Sequence, residues 1–148
     1  MSHPLPPEEE ITALAGHRFP GGRYTIAHWE NTLLTDCTGA EPLPDGLAHP
    51  VALFHVPFLG GGTTIAELFA LGQAESDLSI MIEGYDWEFL FPLKEEVEYD
   101  ISGGIVSAER CEGERGTYDR IQFQFEMAEN GTVAARSTIT WHFTRNIL

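Results

Sequence analysis

Two histidines of the central apolar stretch, His49 and His55, carry side chains that could transfer a proton near neutral pH. They stand six residues apart and so lie on different faces of a helix, whereas a helical metal pair is separated by three or four. We therefore expect no metal site. His49 could act as an acid–base group and His55 as a binding group. A hydrogen-bonded histidine at a helix start and a packed histidine are the simpler alternatives.

Glycines and aromatic residues supply further candidates for ligand contact. Gly60 and Gly61 begin a glycine run before a helix, where free amides attract anions, but no P-loop lysine follows them. A flexible lid and a helix kink are the alternatives. Trp87 and Phe89 could line an acyl cavity, or belong to the core. The chain has no Gly-x-Ser-x-Gly turn, which excludes the usual serine-hydrolase arrangement.

Composition limits the class of protein. The chain has 148 residues and 43% hydrophobic residues, which predicts a single domain over 1–148. Its net charge of −15 would repel nucleic acid and anionic membranes, and no apolar run reaches the roughly 20 residues of a membrane span. The acidic, proline-rich start differs from a signal peptide, so we expect a cytoplasmic protein with residues 1–10 as a loose arm.

Periodicity and turn residues predict short elements in the first half: a helix near 8–15, a strand over 23–28, a helix over 29–37 ending near Gly39, a loop over 40–46 and a partly helical stretch over 49–58. Pro57 and the following glycines should interrupt the last of these. Thr64 and Glu67 fit a capping box that starts another helix.

Four segments between about 79 and 143 alternate apolar and polar residues, and Asn130-Gly131 marks a hairpin between the last two. The pattern predicts an antiparallel sheet with one covered face. Such a sheet after one apolar helix indicates an α+β chain, a single hot-dog domain with a curved sheet wrapped around a central helix. We expect its edge strand to be covered by dimerisation.

Three sequence stretches carry a family resemblance: WENTLLTDCTGAEP, GLAHPVALF and YDWEFLFPLKEEVEYDISGGIVSAER. Over about 20–145 the chain resembles the MaoC-like, or FAS1-like, dehydratase branch of the hot-dog proteins. The resemblance implies binding of an acyl or enoyl thioester of coenzyme A or acyl carrier protein as substrate, with no cofactor. It also implies a homodimer, or a heterodimer with a second hot-dog subunit.

The catalytic element of that family is substituted here. Thr38 and Gly39 match it, but Ala40 replaces the Asp, and the His position falls on Pro44 or Asp45. His49-Pro50 stands where the family often has the glycine whose amide stabilises an oxyanion, and proline has no N–H.

Three hypotheses follow. The chain works in a hydratase or dehydratase system with a rebuilt site, in which His49 is the acid–base group and Asp45 its helper. Alternatively, it is the noncatalytic partner subunit of a heteromeric hydratase. The third is a small polyketide-type dehydratase or cyclase on a cone-shaped α+β fold, which is favoured if His28, His142 and Asp86 converge on one cavity.

Overall fold

A computed structural model describes residues 4–145 of the chain. The helices and strands, in chain order, are α1 (Glu8–Thr12), β1 (Gly22–Thr25), α2 (His28–Thr38), α3 (Ala52–Gly60), α4 (Ile65–Leu71), β2 (Ile80–Phe89), β3 (Glu98–Gly113), β4 (Gly116–Glu129) and β5 (Thr132–Thr144). The predicted α+β class and the predicted order of elements are therefore confirmed.

The strands form one antiparallel sheet in the order β1-β3-β4-β5-β2. Helix α3 packs over β1, β3, β4 and β5, and its buried residues Leu53 and Val56 meet the apolar side chains of the sheet. The curved sheet thus wraps around α3, as predicted. Asn130 and Gly131 both have positive φ angles in the β4–β5 turn, which is the hairpin that their sequence indicates.

Alternation correctly predicts the covered face of the three long strands. Their inward residues are buried, among them Tyr99, Phe123, Phe125 and Trp141. On β2 the same pattern leaves Trp87 and Phe89 exposed, because β2 lies at the edge of the sheet and α3 reaches it chiefly through Phe54, which packs against Tyr85 with ring centroids 5.4 Å apart.

Two local predictions are wrong in part. Helix α3 continues through Pro57, where burial of Val56 and of Pro57 itself offsets the one hydrogen bond that a proline removes. It ends at Gly60, so the glycine run does interrupt it as predicted. Pro6 is buried and its carbonyl accepts a hydrogen bond from Arg110 Nη2 (2.7 Å), so this part of the expected loose arm packs against the sheet. Residues 1–3 lie outside the described residues.

The helices of residues 4–145 are all too short or too polar to cross a membrane.

Candidate functional site

An apolar groove of about 350 Å³ lies between the loop that follows α2 and the end of β2. Its volume is within the usual range of small-molecule sites. It is lined by apolar side chains from the loop and from the strand end, namely Leu43, Leu47, Ala48, Pro50, Phe89, Leu90, Phe91, Pro92 and Leu93. Several of these remain exposed, which is uncommon for a cluster of large apolar residues without a ligand or partner.

The loop beside the groove follows from local backbone chemistry. Helix α2 ends at Gly39, whose φ of 72° is accessible to glycine at little cost. Further on, Asp45 and Gly46 have φ angles of 59° and 72°, and Leu47 N–H donates to Pro44 O (3.1 Å). These are the features of a tight turn with two left-handed central residues, for which Asp-Gly is a preferred sequence.

Asn31 holds this loop in place from the buried side of α2. Its Oδ1 accepts from His49 N–H (2.8 Å), while its Nδ2 donates to Leu47 O (3.1 Å) and to Glu95 Oε2 (2.8 Å). Ala48 N–H in turn donates to Leu93 O (2.8 Å). The wall of the groove is therefore fixed by hydrogen bonds from two other parts of the chain.

His49 lies in sequence between two lining residues, Ala48 and Pro50, but does not itself line the groove, and both of its ring nitrogens are engaged. Nδ1 accepts from Val51 N–H (3.0 Å), so the proton of the neutral ring is on Nε2, which lies 3.3 Å from Thr38 Oγ1. The Thr38 hydroxyl donates to Thr35 O and can accept from the ring. His49 thus binds the amide of Val51, the residue just before α3. Its acid–base role stays a prediction.

The start of α3 offers no free amide to an oxyanion within the described residues. Pro50 has no N–H, and Val51 N–H is bound to His49 Nδ1. The amides of Ala52, Leu53 and Phe54 donate to the carbonyls of the residues three positions earlier. An oxyanion needs preorganised donors, so this helix end differs from a catalytic one.

Asp45 is not joined to His49. Its side chain is exposed, and it makes no hydrogen bond or ion pair within residues 4–145. The left-handed turn accounts for an aspartate at this position. Its role as a helper of His49 stays a prediction, since no contact joins the two side chains.

His55 lies on α3 in a hydrogen-bonded group with Glu30 of α2 and Tyr24 of β1. Glu30 Oε2 accepts from Tyr24 Oη (2.7 Å) and lies 2.8 Å from His55 Nε2. Burial raises the pKa of Glu30, but hydrogen bonds from His55, Tyr24 and Ala27 N–H outweigh it and leave that pKa below its usual value. Burial and the bond to Glu30 raise the pKa of Tyr24 to about 12. The group ties β1, α2 and α3 together away from the groove.

The remaining predicted binding residues divide into two sets. Phe89 lines the groove, and Trp87 packs edge to face against it with ring centroids 6.4 Å apart. Gly60 and Gly61 are buried against the sheet, and a Cβ on Gly60 would lie 2.9 Å from Tyr24 Cβ. Close packing explains both glycines, and these contacts do not support the predicted binding role.

The three residues whose convergence would favour the cone-shaped alternative bond or pair with different partners. His28 bonds Glu95 beside α2, whereas His142 bonds Glu83. Asp86 is paired with Thr138, four residues along β5 from His142. No group of three or more His, Cys, Asp or Glu side chains is placed to hold a metal ion in residues 4–145.

Sequence reasoning missed Asn31 and the apolar loop residues Leu43 and Leu47. An asparagine at the start of a predicted helix is typical of a helix cap, so the residue type alone does not indicate this role. Leu43 lies between Pro42 and Pro44, and Leu47 follows Gly46. Two leucines close together in a turn-rich loop were the available signal, because they can form an apolar patch that a ligand or partner covers.

The chain has structural relatives, although neither a protein-family model nor a curated protein sequence matches it. A chain of the ChsH1-ChsH2 complex from Mycobacterium tuberculosis superposes with a TM-score of 0.69 at 10% identity, covering 95% of this chain and 90% of that chain. The HadBC (3R-hydroxyacyl-ACP dehydratase) complex of the same organism gives a TM-score of 0.65 at 11% identity, with coverages of 89% and 98%.

A MaoC-like dehydratase from Phytophthora capsici gives a TM-score of 0.60 at 15% identity. The similarity covers 91% of this chain and 48% of that chain, so this chain corresponds to about half of it. These similarities confirm the hot-dog fold that the sequence predicts. At such identities the fold is what the proteins share.

Proposed function

We propose that this hot-dog chain binds the acyl or enoyl part of a thioester of coenzyme A or acyl carrier protein in a hydratase or dehydratase system, as the subunit that shapes the acyl pocket. One observation carries the proposal: an apolar groove lies beside the loop in which Ala40 stands at the Asp position, and Pro44 or Asp45 at the His position, of the family that the chain resembles. Two structural neighbours, ChsH1-ChsH2 and HadBC, are complexes. They support a second hot-dog subunit as the partner that supplies the acid and the base.

The hydrogen bonds of His49 and of the first amides of α3 support the same assignment, in which this chain binds the acyl group and the partner supplies the acid and the base. A general base needs an unprotonated nitrogen that faces the substrate, and the unprotonated Nδ1 of His49 already accepts a hydrogen bond from Val51 N–H. The first amides of α3 are bonded as well. A cytoplasmic location and the absence of a cofactor belong to this proposal.

Binding of a saturated butyryl thioester to the purified chain tests the proposal, with calorimetry as the readout. Leu43→Asp places a charge in the groove and should weaken binding by tenfold or more, because burial of an unpaired carboxylate is unfavourable. Leu78→Asp is the matched control, since Leu78 is 93% exposed and lies outside the groove. Its affinity should equal that of the unchanged chain.

Turnover separates a binding subunit from an enzyme. Hydration of a short-chain enoyl thioester, followed by the ultraviolet loss of the conjugated thioester, should be absent with this chain alone and present once a catalytic hot-dog chain is added. Hydration by this chain alone, abolished by His49→Ala, would contradict the proposed division and establish a rebuilt site at His49. Absence of thioester binding would refute the proposal as a whole.

A further inference from the structure

The cations of this chain are almost all neutralised within it. Of the eight Lys and Arg residues, six form ion pairs with carboxylates: Arg23, Lys94, Arg110, Arg120, Arg136 and Arg145. Arg18 and Arg115 are the two without such a partner in residues 4–145. A phosphate group binds to clustered Lys and Arg, so the positions of these two arginines, and of Lys94 with its exposed 3.7 Å pair, determine whether the groove can hold one.

Neither of these arginines lies near the groove. Arg115 belongs to the β3–β4 turn, whereas the groove lies at the other end of the sheet, near the β4–β5 turn. Strand β4, with 14 residues, separates the two ends by about 45 Å. Arg18 pairs with Gly104 on β3, toward the edge of the sheet opposite to β2.

Carboxylates dominate the surroundings of the groove instead. Glu41 and Asp45 are exposed on its loop and have no ionic partner within the described chain. Lys94 follows the lining residue Leu93, but its Nζ lies 3.7 Å from Glu129 Oε2, and Glu95 and Glu96 come next in sequence. The local field therefore repels an anion at distances within the Debye length.

We propose that this subunit binds only the acyl and pantetheine portion of the thioester, and that Lys and Arg residues of the second hot-dog subunit hold the phosphates of the carrier. The inference rests on the proposed function and adds the chemistry of the partner: a hot-dog chain with a basic surface at the mouth of the groove. The two carriers, coenzyme A and acyl carrier protein, share a phosphopantetheine phosphate, so the prediction applies to both.

Three probes separate the contributions to binding by the isolated full chain: butyryl-pantetheine, butyryl-phosphopantetheine and butyryl-coenzyme A. We expect the two charged thioesters to bind no tighter than the uncharged one. Lowering the salt concentration should weaken butyryl-coenzyme A binding further, since repulsion is then less screened. This sign is opposite to that of a site that holds phosphate with cations.

Charge variants make the test local. Glu41→Gln combined with Asp45→Asn should tighten butyryl-coenzyme A binding about threefold or more and leave butyryl-pantetheine unchanged. Glu112→Gln combined with Glu114→Gln changes the net charge equally at the far end of the sheet. This control pair should alter neither affinity.

The inference would be overturned if butyryl-coenzyme A or butyryl-phosphopantetheine bound at least tenfold tighter than butyryl-pantetheine and lost this advantage in high salt. The proposed function would still stand. Loss of the advantage in Lys94→Gln would then identify the cation. If none of the three thioesters binds, the proposed function is refuted, and this inference falls with it.

Discussion

At the scale of single residues, Asp119 is a buried carboxylate that two arginines hold by hydrogen bonds. It is fully buried on β4, accepts two hydrogen bonds from Arg110 (2.9 and 3.1 Å) and accepts a third from Arg145 Nε (2.9 Å). Arg145 also donates to the carbonyls of Gly72 and Gln73, at the end of α4. One carboxylate therefore connects the sheet to α4 and, through Arg110, to the N-terminal segment.

Asp119→Asn should destabilise the protein by about 3–5 kcal/mol, because two buried guanidinium groups lose their anion. The measurement is the free energy of unfolding in urea. Asp100→Asn is the matched control, since Asp100 pairs with Arg23 on the surface and its loss should cost less than about 1 kcal/mol. Equal effects of the two substitutions would show that the buried group has no special role in stability.

At the scale of elements, the close approach of α3 to the sheet depends on the glycines at its end. A Cβ on Gly60 would lie 2.9 Å from both Ile101 Cγ1 and Tyr24 Cβ, which is closer than real Cβ contacts. Gly61 O accepts from Gly21 N–H (3.0 Å), so the helix end is also bonded to the segment that leads into β1. Glycines at the end of α3 therefore allow the helix to lie in direct contact with β1 and β3.

Gly60→Ala should therefore lower stability by about 1–3 kcal/mol, through displacement of α3 from β1 and β3. Thermal unfolding followed by circular dichroism measures this change. Gly84→Ala is the control, because a Cβ there meets nothing within 4 Å and alanine suits a strand better than glycine. An unchanged or higher melting temperature for Gly60→Ala would disprove the packing argument.

At the scale of the whole molecule, β2 leaves the sheet with an open, apolar edge. Ile82 is 61% exposed, and Trp87 and Phe89 are exposed on the same face, where the other strands are covered. Unpaired strand edges with apolar residues tend to associate, and a second hot-dog chain would both extend the sheet and cover these side chains. The proposed partner therefore has a surface to bind.

Ile82→Lys should weaken association with the partner, or self-association, by at least tenfold, since a charge would be buried in the contact. Analytical ultracentrifugation over a concentration series is the measurement. Val106→Lys provides the control: Val106 is 45% exposed but lies on β3, which β4 and β5 separate from β2. If both substitutions leave the assembly unchanged, β2 is not the contact strand.

The alternating segments and turn residues of the sequence determine the strands, the α+β class and the hot-dog arrangement. The sequence also determines the chemistry available at two positions of the loop after α2, because the side chains of Ala40 and Pro44 carry no group that can transfer a proton. The alternation of apolar and polar residues indicates which face of a strand is covered, but it does not indicate which strand lies at an edge of the sheet. For that reason the exposure of Trp87 and Phe89 could not be predicted.

Tertiary structure alone decided which polar residues meet. Asn31 contacts Glu95 across 64 positions of the chain, and Arg145 contacts Gly72 across 73. No local periodicity records such pairs, since helix and strand patterns describe neighbours within a few residues. His49 illustrates the result. Its residue type allows acid–base chemistry, whereas the fold places its ring against Val51 N–H and the Thr38 hydroxyl, at the start of α3.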